Sequence, residues 1–207
     1  MSLTSRKPRP LKRTTTNLRD TRLVIIATEG CCTERQYFEI FGEMNSRVQI
    51  IILNTEEGMS APVHVLSRLK KFKNDYELTQ DDFLCLVIDK DRWPDAQLSE
   101  VAAKAHQLHF ELAVSNPCFE LWLYLHLNDL PPNVARYTCA ELDNLIKGIL
   151  GSYNRSNIQK DQFQPFISNA VQRAIRLDLN PNDRWPNQVS TRVYRIVQII
   201  NSVFGNT

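Results

Sequence analysis

Acidic residues follow two short apolar runs in the chain. Residues 23–27 lead into Glu29, and residues 83–88 lead into Asp89 and Asp91. Runs this short and this rich in β-branched residues are typical of buried strands in a parallel sheet. Open α/β sheets bind ligands in the crevice beyond the carboxyl ends of their strands, so we expect the three carboxylates to face one crevice. Three acids in one crevice indicate a divalent metal ion.

The spacing of Asp89 and Asp91 supports this interpretation. Residues i and i+2 of a strand point to the same side and lie roughly 6–7 Å apart, so both carboxylates can share one ion. Magnesium takes oxygen ligands and leaves positions to water and phosphate, which makes such a site suitable for phosphate chemistry. The same Asp-x-Asp pattern also occurs in solvated turns. The neighbouring Glu29-Gly30 pair favours the functional interpretation.

Strand and helix patterns alternate around these acids. They predict an α/β fold with a mainly parallel four-stranded sheet flanked by helices, followed by a C-terminal extension with helical patterns only. The predicted strands are 22–28, 48–53, 83–88 and 110–115, and the predicted helices are 33–41, 63–72, 95–107, 118–127, 138–150, 163–178 and 188–204.

Length and composition indicate an ordinary globular protein. The 207 residues are enough for one α/β domain with additions and too few for two comfortable ones. The chain is 43% hydrophobic and 23% charged, without an apolar stretch near the roughly 20 residues of a membrane span and without an apolar signal-peptide region. We therefore expect a cytoplasmic protein with no membrane partner. We predict a core at residues 22–128 and a helical cap, packed on the core, at residues 129–207.

Residues 1–21 form a basic arm. The net charge of the whole chain is only +2, yet this segment carries Lys and Arg residues against the single acid Asp20. It cannot bury enough apolar surface to order itself, so we expect it to be flexible. The arm either lies along phosphate backbones or acts as a solubilising tail.

The five cysteines agree with a cytosolic location, because they are odd in number and include no Cys-x-x-Cys pair that would build a zinc knuckle. Cys85 lies in a predicted core strand, where we expect it to pack. Cys31 and Cys32 follow Gly30 in the loop over the presumed site. They respond to oxidation, bind a soft metal, or have no chemical role.

The block from Ser115 to Trp122 has the chemistry of a helix start, with a polar cap and Pro117 at the first helical position. Glu120 fits the first turn, but it also lies on the crevice side of the sheet, so it is either a capping residue or a further metal ligand. We expect Trp122 to be a core or interface residue. His126 has the position of a satisfied core histidine rather than a catalytic base.

At these motifs the chain resembles the RloB family of small bacterial and archaeal proteins with a Toprim-like fold. The family is associated with phage-defence and restriction-type loci, often beside an ATPase partner. Toprim domains in general use one Glu and an Asp-x-Asp pair around magnesium for phosphoryl transfer on nucleic acids. The resemblance extends over roughly residues 20–203 and is carried by Thr28-Glu29-Gly30, Thr33-Glu34, Tyr37-Phe38, Asp89-Lys90-Asp91, the block from Ser115 to Trp122, and His126.

The resemblance implies roles for particular residues. Glu29 would be the Toprim glutamate, acting as general acid/base or metal ligand, and Asp89 and Asp91 would hold Mg²⁺ or Mn²⁺. Glu34 either adds a ligand for a second metal or caps the helix that follows Gly30. Glu120 would complete the acidic group.

Two basic residues are candidates for substrate contacts. Arg92 directly follows Asp91, where it can meet a phosphate or pair with its acidic neighbours, and Lys160 flanks a polar loop of the predicted cap with Arg155.

We favour a magnesium-dependent nuclease or phosphoryl transferase acting on DNA or RNA in phage defence, with an ATPase as a further partner. One alternative is a non-catalytic nucleic-acid-binding or sensor subunit of a defence complex. Another is a phosphatase-like hydrolase of small phosphoesters. Phosphatases with Asp-x-Asp usually place it on the first strand, whereas here the third strand carries it, which favours the Toprim interpretation.

Overall fold

Strands and helices alternate along the first half of the chain and build one sheet. The computed structural model describes residues 22–42, 48–55, 58–131 and 136–205, so the predicted basic arm lies outside the described residues. Two short 3₁₀ turns, Lys160–Gln162 and Gln164–Phe166, precede the sixth helix. The elements are β1 (Arg22–Thr28), α1 (Thr33–Gly42), β2 (Val48–Leu53), α2 (Pro62–Asp75), β3 (Phe83–Asp89), α3 (Asp95–Leu108), β4 (Glu111–Asn116), α4 (Phe119–Leu127), α5 (Cys139–Leu150), α6 (Ile167–Leu177), β5 (Ser190–Thr191) and α7 (Val193–Gly205).

The sheet has the strand order β2-β1-β3-β4-β5. The first four strands run parallel, which confirms the α/β prediction, and β5 joins antiparallel to β4. In the register of β1 and β3, Thr28 pairs with Val87, so both strands end at the same edge. That edge positions Glu29 and Asp89 side by side.

Two predictions for the C-terminal half are wrong. The sheet has five strands rather than four, because Ser190 and Thr191 pair with the end of β4. These two residues were predicted to lie in a helix over 188–204, but the helix begins only at Val193. The Ser115 and Thr191 hydroxyls are 2.8 Å apart in this buried pair. A strand of two residues leaves no periodic signal in the sequence, so the sequence predicts only helices in the extension.

Apolar layers cover both faces of the sheet. Alternate residues of β1 point to opposite faces: Val24 and Ile26 pack with α1, α4 and α7, whereas Leu23, Ile25 and Ala27 pack with α2 and α3. The strands are therefore buried on both sides, which explains their continuous apolar sequence.

Helix α4 is almost completely enclosed. It begins at Phe119 with Cys118 as its N-cap, and the Asn116–Pro117 peptide bond before it is cis, so the prediction of Pro117 at the first helical position is wrong. Instead, the Pro117 carbonyl accepts hydrogen bonds from the N–H groups of Lys90 and Asp91.

None of the helices in the described part of the chain combines the length and apolar composition that a bilayer crossing requires.

Candidate active site

Glu29 lies directly after β1, at the carboxyl edge of the sheet. Its backbone N–H donates to Val87 O at 3.1 Å, which continues the pairing of β1 with β3 by one residue. Its side chain is 6% exposed, and Oε2 accepts hydrogen bonds from the Asp89 N–H (3.2 Å) and from Trp93 Nε1 (3.0 Å). The carboxylate is therefore held in one orientation beside Asp89.

Asp89 ends β3, and Asp91 lies in the turn that follows. Backbone hydrogen bonds hold this turn: Lys90 N donates to Ser115 O at 2.9 Å and to Pro117 O at 3.1 Å, and Asp91 N donates to Pro117 O at 3.1 Å. The Asp-x-Asp segment is thus attached to the end of β4 rather than solvated on all sides. Asp89 is therefore a strand residue, whereas Asp91 lies in a turn and is exposed, as in the solvated-turn alternative.

Glu34 lies in the first turn of α1 and reaches back to the loop before it. Its Oε1 accepts a hydrogen bond from Gly30 N at 3.0 Å, and the side chain is 6% exposed. A Cβ atom at position 30 would collide with this carboxylate, so a larger residue there would displace the Glu34 side chain from its present position. Glu34 therefore contacts the loop backbone, as a capping acid does, and also faces the same cavity as the other acids.

Glu120 lies in the first turn of α4 and forms an ion pair with Arg155. Arg155 Nε is 3.2 Å from Glu120 Oε1 and 2.9 Å from Asp143 Oδ1. The loop that carries Arg155 is docked on α1, because Thr33 Oγ1 donates to Arg155 O at 3.0 Å and Gln36 Nε2 donates to Ser156 O at 2.8 Å. Two helices and one loop thus fix the guanidinium beside the acids.

The five predicted acids and one predicted cation line a single cavity. It has a volume of about 630 Å³ and also contains Arg155. Lys160, predicted as a second substrate contact, lies in a 3₁₀ turn and is not among the lining residues. The structure thus brings together Glu29, Glu34, Asp89, Asp91, Arg92 and Glu120.

The carboxyl groups in this cavity have raised pKa values. Burial, followed by the charges of Glu120 and Glu29, raises the pKa of Glu34 to about 7. Burial, followed by the charges of Glu34, Glu29 and Glu120, holds the pKa of Asp89 well above its usual range. Burial also raises the pKa of Glu29, Asp91 and Glu120. The raised pKa values mean that the protonated carboxyl groups are favoured, and a bound cation would instead stabilise the ionised carboxylates.

The donor set fits a hard divalent cation. All five acids supply oxygen, the ligand that Mg²⁺ and Mn²⁺ prefer. Among the described residues, one group of three His, Cys, Asp or Glu side chains has ligand atoms that all lie within 4.8 Å of one another, and it consists of Cys118, Glu120 and Cys139. The three predicted catalytic acids do not reach that spacing. Mg²⁺ commonly takes only one or two carboxylates directly and retains several waters, so wider spacing is compatible with it.

A model of the RloB-like protein family matches residues 24–200. The chain belongs to the RloB-like family. The matched region contains all five acids of the cavity as well as β5, so the family unit includes the C-terminal helices. No curated protein and no solved structure matches the sequence.

A disulfide lies at the edge of the cavity of this RloB-like chain. It joins Cys118, the N-cap of α4, to Cys139, the first residue of α5, with their Cα atoms 6.0 Å apart. With both sulfur atoms in this bond, their group with Glu120 is not a metal site in the oxidised form. Cys139 Sγ lies 3.2 Å from Asp91 Oδ2, so the disulfide is next to a predicted metal ligand.

Sequence reasoning did not assign two of the residues that shape the site. Trp93 donates its ring N–H to Glu29. Its position directly after Asp89-Lys90-Asp91-Arg92 was the one feature of the sequence that could have indicated a place in the site. Arg155 was noticed only as a cation beside a polar loop, and no local pattern pointed to Glu120 as its partner.

His126 is confirmed as a core histidine. It is 1% exposed, its Nε2 lies 3.1 Å from the Tyr37 hydroxyl, and its Nδ1 lies 2.9 Å from Trp122 O. Burial lowers its pKa to about 4. It lies on α4, the helix that also carries Glu120, and does not line the acidic cavity.

Proposed function

We propose that the chain is a metal-dependent phosphodiester hydrolase that acts on nucleic acid, with Toprim-like use of Glu29, Asp89 and Asp91. The observation that carries the proposal is the convergence of five carboxylates with Arg92 and Arg155 in one cavity at the carboxyl edge of the sheet. A phosphodiester suits both kinds of group, because its anionic oxygens bind a divalent cation and accept hydrogen bonds from guanidinium.

Hydrolysis joins a water oxygen to phosphorus and breaks the bond from phosphorus to a sugar oxygen, which leaves with a proton. Bound Mg²⁺ or Mn²⁺ would lower the pKa of a bound water and stabilise charge on the phosphoryl oxygens, with Asp89 and Asp91 as its ligands and Glu29 as the acid/base. Because burial raises its pKa, Glu29 accepts a proton more readily than an ordinary carboxylate, and Trp93 keeps it in place.

Arg155 contributes a fixed positive charge to the same cavity. Its guanidinium is held by Glu120 and Asp143, so little ordering is needed when a phosphate arrives. Arg92 is exposed at the cavity and is placed to meet the same phosphate from the side of Asp91. In this arrangement the arginines bind the substrate, while the acids hold the metal and move the proton.

The test compares cleavage of plasmid, single-stranded DNA and RNA in Mg²⁺ or Mn²⁺ by the unaltered protein and by Asp89→Asn. The matched control is Asp81→Asn, which removes an exposed carboxylate near the opposite end of the same strand. We expect metal-dependent cleavage of at least one polymer. Asp89→Asn should lower it by more than about 100-fold, because groups that only support metal ligands already contribute roughly 10–100-fold. The control should cleave normally.

Other outcomes would redirect the assignment. Cleavage that persists in Asp89→Asn would show that the catalytic site lies outside this cavity. Metal-independent nucleic-acid binding without any cleavage would favour the sensor subunit, and faster turnover of small phosphoesters than of polymers would favour the phosphatase-like enzyme.

We also infer a role in phage defence together with an ATPase partner, which rests on the family resemblance. Phage plating efficiency should fall on cells that express the chain together with the proposed ATPase partner. The Asp89→Asn variant should restore plating, and equal protection by both forms would contradict a catalytic role in defence.

A further inference from the structure

A second cavity lies on the other side of Asp91. It has a volume of about 540 Å³ and shares Asp91 with the acidic cavity, so the two meet at that residue. We call it the side cavity. Its lining includes Lys90, Asp91, Asn116, Arg136, Tyr137 and Gln188.

The fifth strand builds one wall of the side cavity. Asn116 at the end of β4 pairs with Ser190 of β5, which brings residues 187–189 beside the turn that carries Asp91. Asn116 Nδ2 also donates to Pro186 O at 3.1 Å. The side cavity is therefore a fixed feature of the sheet edge, joined to the same end of β4 that holds the Asp89–Asp91 turn.

The charge of the side cavity is opposite to that of the acidic cavity. Two cations, Lys90 and Arg136, face one lining acid, Asp91. Lys90 Nζ lies 3.9 Å from Asp95 Oδ1, but the Asp95 side chain is 74% exposed, so this pair is weak and leaves the ammonium available. The side cavity therefore attracts a phosphate through its own cations, whereas the acidic cavity needs a bound metal ion to offset its carboxylates.

The remaining lining groups suit a nucleotide. The Asn116 and Gln188 amides offer donors and acceptors for phosphate, sugar or base edges. Tyr137 offers a half-buried ring for base stacking. The Tyr137 hydroxyl is enclosed and has no hydrogen-bond partner among the described residues, so a ligand group can satisfy it.

We propose that the side cavity binds the nucleotide next to the scissile phosphate in a single nucleic-acid strand. This inference rests on the proposed function, because it places the reacting phosphate in the acidic cavity and the strand across Asp91. A cavity of this size matches one nucleotide, since small-ligand pockets measure roughly 300–1,000 Å³. It favours an unpaired strand, because an unpaired base can stack on Tyr137 and present its edge to the Asn116 and Gln188 amides, whereas a paired base is held in the duplex.

The test measures anisotropy of a fluorescent single-stranded oligonucleotide with Arg136→Glu, Tyr137→Leu and the control Lys71→Glu. Lys71 is exposed on α2, lies outside both cavities and changes the net charge as Arg136→Glu does. Titrations run in EDTA and in Ca²⁺ at several salt concentrations. We expect about tenfold weaker binding for Arg136→Glu with a shallower salt dependence, about tenfold weaker binding for Tyr137→Leu, and little change for Lys71→Glu.

Specific results would overturn the inference. These are equal binding by Arg136→Glu and Lys71→Glu, the same loss on a blunt duplex as on a single strand, or no binding by the unaltered protein in either buffer. Thermal unfolding of each variant separates misfolding from lost contacts, and Arg136→Lys, which keeps the charge, should restore most of the binding.

The two proposals fail separately. Strand binding that depends on Arg136 without any cleavage would defeat the proposed function alone. Cleavage that needs Asp89 but is unchanged by Arg136→Glu at low substrate concentration would defeat the side cavity alone.

Discussion

Replacing Glu34 with glutamine should stabilise the metal-free protein at neutral to alkaline pH. In the folded protein burial and the neighbouring acids raise the pKa of Glu34 to about 7, against an ordinary value of 4.5. Between these two values the folded chain keeps a proton that the unfolded chain releases. The free energy of unfolding therefore falls as pH rises through this window.

The magnitude follows from the two pKa values. One pKa unit corresponds to 1.36 kcal/mol, so the shift from 4.5 to about 7 lowers the free energy of unfolding by about 3 kcal/mol once the pH exceeds about 7. Glutamine stays neutral and its amide oxygen can still accept the hydrogen bond from Gly30 N. Glu34→Gln should thus add about 3 kcal/mol at about pH 8 and less than about 0.5 kcal/mol at about pH 4.5.

Urea unfolding in EDTA, followed by circular dichroism at both pH values, measures this difference. The control Glu39→Gln removes an exposed carboxylate on the same helix, where it pairs with Arg35, and should change stability by less than about 0.5 kcal/mol. Added Mg²⁺ should stabilise the unaltered protein more than Glu34→Gln. A destabilised variant at about pH 8, or the same increment at both pH values, would refute the reasoning and assign Glu34 to helix capping alone.

Three further predictions concern the supporting structure. Asp178→Ala should lower the free energy of unfolding by about 4 kcal/mol in urea titrations, because it leaves Arg192 buried without its bidentate partner; a loss below about 1 kcal/mol would contradict this. Reducing the Cys118–Cys139 disulfide, which spans 21 residues, should cost about 3 kcal/mol, and thiol titration of the unreduced, denatured protein should find three free cysteines rather than five. His126 should remain neutral in NMR titrations down to about pH 5, since burial lowers its pKa to about 4; a midpoint near 6.5 would show that the ring is solvated.

The central strands and their acids were predictable from local sequence. A strand buried on both faces must be apolar at every position, so β1 and β3 were visible as short runs that end in Glu29 and in Asp89. The order of strands and helices implied a parallel sheet, and parallel strands present their carboxyl ends at one edge. The meeting of Glu29 with Asp89 follows from that rule and not from any contact visible in the sequence.

Only the tertiary structure decided which other residues belong to the site. Arg155 reaches Glu120 because its loop is docked on α1, through hydrogen bonds between residues 120 or more positions apart. The two-residue strand β5, the Cys118–Cys139 bond and the side cavity have the same origin. Hydrophobic periodicity reports which face of an element is buried, but not which distant segment covers it. The acids at the strand ends were therefore determined by the sequence, whereas the cations, the disulfide and the second cavity around them depend on packing between remote segments.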